Sequence, residues 1–133
     1  MNTTDSVLQE VRAMVADVLM VELDEVYPED SFVTKLGGDS LGFLELGFKC
    51  EKRYGIKMSF QKVMPEDALA ADERGVLTND SMSLLRRELP FLDYSRIGEQ
   101  PLKARLLELL TVEAIAHLVR KAIAEKEAVA TGG

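Results

Sequence analysis

The chain has 133 residues, which fits one domain with a modest core, and its formal net charge of -7 argues against nucleic acid or an anionic membrane as a partner. Hydrophobic residues make up 47% and aromatics only 6%, with no Trp, a composition that suits a small aliphatic helical bundle better than a β-sandwich. One cysteine excludes an internal disulfide and a two-cysteine metal site, no apolar run approaches a membrane span, and Met1-Asn2-Thr3-Thr4-Asp5 lacks the basic and apolar regions of a signal peptide, so a cytoplasmic protein is expected.

The first predicted element is a helix capped by Thr3 or Thr4, with Asp5 near its positive end. Val7, Leu8, Val11, Met14, Val15, Val18 and Leu19 recur at helical spacing and give it one apolar face, and it should fray between Met20 and Leu23. The pattern then breaks into a long polar loop, Asp24 to Lys35, with Val26 and Phe32 as its anchors. Such a loop costs little extra chain entropy if a few apolar side chains pin it, and Phe32 and Leu36 are placed to do so.

Next comes Leu36-Gly37-Gly38-Asp39-Ser40-Leu41. The two glycines let the backbone turn tightly, and Asp39 can accept a hydrogen bond from a free N–H of the following helical turn. Ser40 then falls on the first turn, its hydroxyl expected to face solvent, where free amides and the positive end of the helix dipole favour a negative group such as a phosphodiester. The helix itself is predicted from Ser40 to Tyr54, with Gly55 at its C-terminus. At about 100° per residue it has two apolar sides. Phe43, Leu46, Cys50 and Tyr54 form one side and Leu41, Leu44 and Phe48 nearly the opposite one. One small bundle cannot bury both. The first stripe is expected in the core, with Cys50 as an inert buried thiol, and Leu41, Leu44 and Phe48, with Glu45, as an exposed docking patch unless the following segment covers them. The charges on this helix are mixed, Glu45 and Glu51 interleaved with Lys49, Lys52 and Arg53.

Residues 59–109 are rich in apolar residues at helical spacing and are expected to fold onto the bundle rather than to link domains. They include Met64-Pro65-Glu66-Asp67, a loop around Arg74-Gly75, and a helix capped by Thr78 or Asn79 and stopped by Pro90. Met82, Leu85 and Leu89 on that helix are expected to wall an apolar cavity beside the second helix. Thr111 should cap the last helix, whose stripe is Val112, Ile115, Ala116, Val119 and Ile123. His117, the only histidine, has no second ligand or base in view and is expected at a surface or boundary. The tail, 128–133, is expected to lack fixed structure.

Leu36-Gly37-Gly38-Asp39-Ser40-Leu41 resembles the phosphopantetheine attachment motif of the acyl carrier and peptidyl carrier proteins. The resemblance extends upstream through Pro28-Glu29-Asp30-Ser31-Phe32, downstream through Glu45-Leu46 to Tyr54-Gly55-Ile56-Lys57-Met58, and resumes at Leu110-Thr111-Val112-Glu113-Ala114-Ile115-Ala116. It implies an all-α four-helix bundle with a long first loop, here a single domain over 1–133 enlarged by extra helices between the second and last. It implies a 4'-phosphopantetheine arm on Ser40, preceded by Asp39, that carries an acyl group as a thioester for a specialised fatty acid, lipid or polyketide pathway. It also implies a non-catalytic monomer whose partners are a phosphopantetheinyl transferase and acyl-loading, acyl-modifying and acyltransferase enzymes.

The runner-up is an aminoacyl or peptidyl carrier of the nonribosomal type, and a third reading is an unmodified scaffold on the same bundle. Gly38-Asp39-Ser40-Leu41 also spells the nucleophile block of the GDSL hydrolases. That chemistry needs a base within hydrogen-bond reach and a group to orient it, and His117 lacks the aspartate three residues before it that those enzymes carry.

Overall fold

The computed structural model describes residues 3–57 and 69–132. Met58, Ser59 and Met64-Pro65-Glu66-Asp67 therefore lie outside the described residues. Among those described, the chain is helical: α1 (Thr3–Leu19), α2 (Ser40–Tyr54), α3 (Asn79–Glu88) and α4 (Val112–Gly132), with 3-10 turns at Leu23–Glu25, Tyr94–Ile97 and Lys103–Leu109. This is the expected all-α bundle with extra helical pieces before the last helix.

α1 packs against both α2 and α4. Val7, Val11 and Val15 are buried, with Leu8, Met14, Val18 and Leu19 half-buried along the same face. The helix stops at Leu19 because Met20 turns to a positive φ of 58°. The capping expected of Thr3 or Thr4 lies outside the described side chains.

The long first loop is held at both ends. Arg12 on α1 donates from Nε to the Val26 carbonyl (2.7 Å) and from its terminal nitrogen to the Leu23 carbonyl (3.1 Å). At the other end, the amides of Val112 and Glu113 donate to the carbonyls of Asp30 (2.9 Å) and Pro28 (2.8 Å), and the Phe32 amide donates to the Leu110 carbonyl (3.0 Å). The first amides of a helix have no partner within it, so loop carbonyls from far back in the sequence complete the start of α4. Thr111 Oγ1 accepts from the Ala114 amide (3.0 Å) and finishes the cap.

The segment between α2 and α4 folds onto the same core, as expected: Leu69, Leu77, Met82, Leu85, Leu89, Leu92, Ile97, Leu106 and Leu109 are buried in one cluster with α1, α2 and α4. The loop at Arg74-Gly75 is a small hairpin. The Asp72 carboxylate accepts from the Arg74 and Val76 amides, and Gly75 supplies the positive φ of 84° that the turn requires. Residues 75–77 then pair with 101–103 through Leu77 N–H to Pro101 O and Lys103 N–H to Gly75 O. Thr78 caps α3 by accepting from the Ser81 amide. Met82, Leu85 and Leu89 are core residues, and the cleft that Met82 lines is walled by this segment itself and not by α2. This cleft is therefore not the cavity expected beside the second helix, since no residue of α2 lines it.

α4 continues to Gly132. Its last turns read Ala124, Ala128 and Ala130 among Glu and Lys, residues that hold a helix at little entropic cost.

His117 on α4 is half-buried, stacked on Phe91 with ring centroids 5.0 Å apart, with Nδ1 2.9 Å from the Arg120 guanidinium. Burial first, and the Arg120 charge second, hold its pKa below the ordinary 6.5. The folded state therefore takes up a proton less readily than the unfolded chain. His117 contributes stability in full above about pH 6.5 and loses it progressively as the pH falls below that. Urea unfolding at pH 7.5 and 5.5 should show a drop for the native chain that is smaller in His117→Gln.

Candidate functional site

The turn from 31 to 39 sets the start of α2. Lys35 and Leu36 amides both donate to the Ser31 carbonyl, the Gly37 amide to Val33 and the Gly38 amide to Phe32 (2.8 Å). The two glycines have different jobs. Gly37 holds a φ of +77°, which L side chains seldom adopt. Gly38 is buried on the Phe32 ring, where a Cβ would stand 2.2 Å from Phe32 Cε2. Phe32 is fully buried and meets Phe43 of α2 edge-on, centroids 6.0 Å apart at 82°. The sequence signalled a tight turn here, and the ring beneath Gly38 is what makes the second glycine necessary.

Asp39 is the N-cap as expected. Its backbone is extended, its carboxylate Oδ1 accepts from the Gly42 amide (2.8 Å), and its carbonyl accepts the first helical bond from Phe43. Ser40 is the first residue of α2. It is described at the backbone, and the expected direction of its hydroxyl lies outside the described part of the residue. Its neighbours Asp39 and Leu41 are both exposed.

Both sides of α2 fall where the periodicity put them. Phe43, Leu46 and Cys50 are buried and Tyr54 is half-buried. Burial pushes the Cys50 thiol up to about 12, so it stays protonated and unreactive. Leu41, Leu44 and Phe48 are 72%, 46% and 61% exposed, and the 69–109 segment does not cover them. Glu45 is exposed beside them, and Lys49 pairs with Asp17 at 2.7 Å. At the far end Gly55 turns at φ 64°, and Lys126 of α4 donates to the Tyr54 carbonyl (3.2 Å). Tyr54 donates its hydroxyl to Glu10 of α1 (2.6 Å), and Arg53 also bonds that carboxylate. These bonds keep Glu10 ionised below the usual carboxylate range, Tyr54's being the stronger.

His117 is engaged by Phe91 and Arg120, and no group of three or more His, Cys, Asp or Glu side chains fit for a metal occurs among the described residues. No helix among the described residues is long and apolar enough to cross a membrane.

A buried glycine turn and an aspartate cap thus set Ser40 as the first residue of α2. The family profile of a phosphopantetheine attachment site matches residues 9–67. Among curated proteins, the chain is 39% identical over 69 residues to an acyl carrier protein of Nitratidesulfovibrio vulgaris, covering 49% of this chain and 91% of that one. It is 36% identical over 62 residues to acyl carrier protein AcpXL of Mesorhizobium japonicum, covering 47% of this chain and 63% of the relative. It is 40% identical over 52 residues to an acyl carrier protein of Thermosynechococcus vestitus, covering 39% and 64%. The chain belongs to the acyl carrier protein family, whose prosthetic group is a covalently attached 4'-phosphopantetheine. It spans slightly under two thirds of the length of the last two relatives, and the segment from 69 to 109 lies beyond the family match.

Proposed function

We propose that this protein carries an acyl group as a thioester on a phosphopantetheine arm joined to Ser40. The observation that supports this most is the position of Ser40: first residue of α2, directly after the Asp39 cap, on a turn that Gly38 and Phe32 hold rigid. The residues present fit such an arm. A phosphodiester at this point would lie near first-turn amides and the positive end of the α2 dipole, and Asp39 already satisfies the Gly42 amide without burying itself. When bound, the arm supplies a thiol that holds the acyl group in an activated linkage. This chain's part is to fix the attachment point, keep it accessible, and offer Leu41, Leu44, Glu45 and Phe48 as the face that partner enzymes grip.

The protein would itself catalyse nothing, and its partners would be a phosphopantetheinyl transferase and acyl-loading, acyl-modifying and acyltransferase enzymes of a specialised fatty acid, lipid or polyketide pathway. Incubation of the full chain with coenzyme A and a broad-specificity phosphopantetheinyl transferase should add the mass of one arm, and Ser40→Ala should gain none. A modified mutant, or an unmodified native chain, overturns the proposal and returns the protein to the scaffold reading.

A further inference from the structure

All eight arginines of the chain lie among the described residues, and seven of them are paired. Arg12 reaches loop carbonyls, Arg53 meets Glu10, Arg74 meets Asp72, Arg87 meets Glu88, Arg96 meets Asp93, Arg105 meets Glu108, and Arg120 meets His117. Arg86 is the exception. Its guanidinium makes no hydrogen bond or ion pair within the described structure and lies over the Tyr94 ring, 5.9 Å from the centroid. Tyr94 cannot swing away. Its hydroxyl is tied down between the carbonyls of Leu85 (2.8 Å) and Leu89 (2.7 Å) at the end of α3, and burial pushes its phenol up to about 12.

Arg86 lines a cleft of about 450 Å³, within the range of small-ligand sites. Asn79, Ser83 and Arg86 follow one another at intervals of four and three residues, so α3 lines the cleft with a row of polar side chains along one face. Buried Met82 gives it an apolar floor, and Glu99 stands on the wall across the loop. The planar fork of a guanidinium matches a carboxylate in two parallel bonds, and the Tyr94 ring beneath Arg86 adds a weak cation–π attraction. One arginine opposed by one glutamate, in a chain of net charge -7, suits a singly charged anion better than a phosphate dianion.

We propose that the cleft between α3 and the Tyr94–Ile97 turn is a carboxylate-binding site, in which Arg86 grips the carboxylate and Met82 covers a short apolar body. This goes beyond the carrier role and does not depend on Ser40, since the cleft lies wholly in the segment outside the family match. The carboxylate could belong to a free small molecule or to an acidic side chain of a partner protein. The test is titration of the ¹⁵N-labelled full chain with butyrate, and separately with the peptide acetyl-Ala-Leu-Glu-amide. Butyramide and the corresponding Gln peptide serve as neutral controls, and inorganic phosphate as a competing anion.

Saturable shifts at Ser83, Tyr94, Gly98 and the Arg86 side-chain N–H are expected from one or both carboxylates and from neither amide. Arg86→Gln should weaken binding at least tenfold, Arg86→Lys less, and Lys52→Gln not at all. Tighter binding of the peptide assigns the carboxylate to a partner side chain, and tighter binding of butyrate assigns it to a free molecule. Shifts that survive Arg86→Gln, that spread evenly over the cationic surface, or that phosphate produces more strongly would overturn the assignment, as would no shift with either probe. Arg86 is exposed, so its variants should fold, and unchanged spectra elsewhere would verify that.

Discussion

Phe32→Ala should lower the unfolding free energy by about 3–5 kcal/mol, the usual cost of emptying a fully buried phenylalanine site. Phe32 has no exposure at all, meets Phe43 edge-on, and carries the Gly38 backbone on its ring. Gly38→Ala should cost about 3 kcal/mol, the upper end for overpacking, because the new Cβ would stand 2.2 Å from a ring that the core holds in place. The two changes touch the same atoms and should not add. In the Phe32→Ala background the space for a methyl exists, and Gly38→Ala should cost much less there than in the native chain. Chemical denaturation of the two single variants and the double variant measures this coupling. Strict additivity would mean that the ring is not what demands a glycine. Both single variants should also slow the proposed attachment of the arm at Ser40, since they disturb the turn just before it.

The two phenylalanines of α2 should behave in opposite ways. Phe43 is buried, and Phe43→Ala should cost about 3–5 kcal/mol. Phe48, five residues on, is 61% exposed, and Phe48→Ala should change stability by less than about 0.5 kcal/mol. Its effect should appear instead in the rate at which a phosphopantetheinyl transferase or an acyl-handling enzyme uses the protein. An exposed aromatic flanked by Leu41 and Leu44 on one helix face is the kind of apolar patch that marks an interface. Unfolding curves and transfer rates on the same pair of variants separate the two roles. A large stability loss in Phe48→Ala, with transfer rates unchanged, would remove the docking face from the proposal.

Much of this molecule was legible in the sequence because the signals involved span only a few residues. Asp39 caps α2 through the Gly42 amide, Thr78 caps α3 through Ser81, and Thr111 caps α4 through Ala114, each a hydrogen bond three residues long. Gly55 ends α2 by a backbone conformation that belongs to glycine alone among the residues there. The split of α2 into a buried stripe and an exposed one is likewise a matter of 3.6-residue periodicity. What needed the tertiary structure are contacts between parts far apart in the chain. The amides at the start of α4 are completed by carbonyls at Pro28 and Asp30, more than eighty residues earlier, and no local pattern announces that pairing. Met82, Leu85 and Leu89 read equally well as a cavity wall or as core, because periodicity gives a helix its apolar face without naming what packs on it. Arg86 looks like any arginine on an exposed helix face. Only the fold, by bringing Tyr94 under it and leaving every carboxylate of the described chain outside ion-pairing distance, sets it apart.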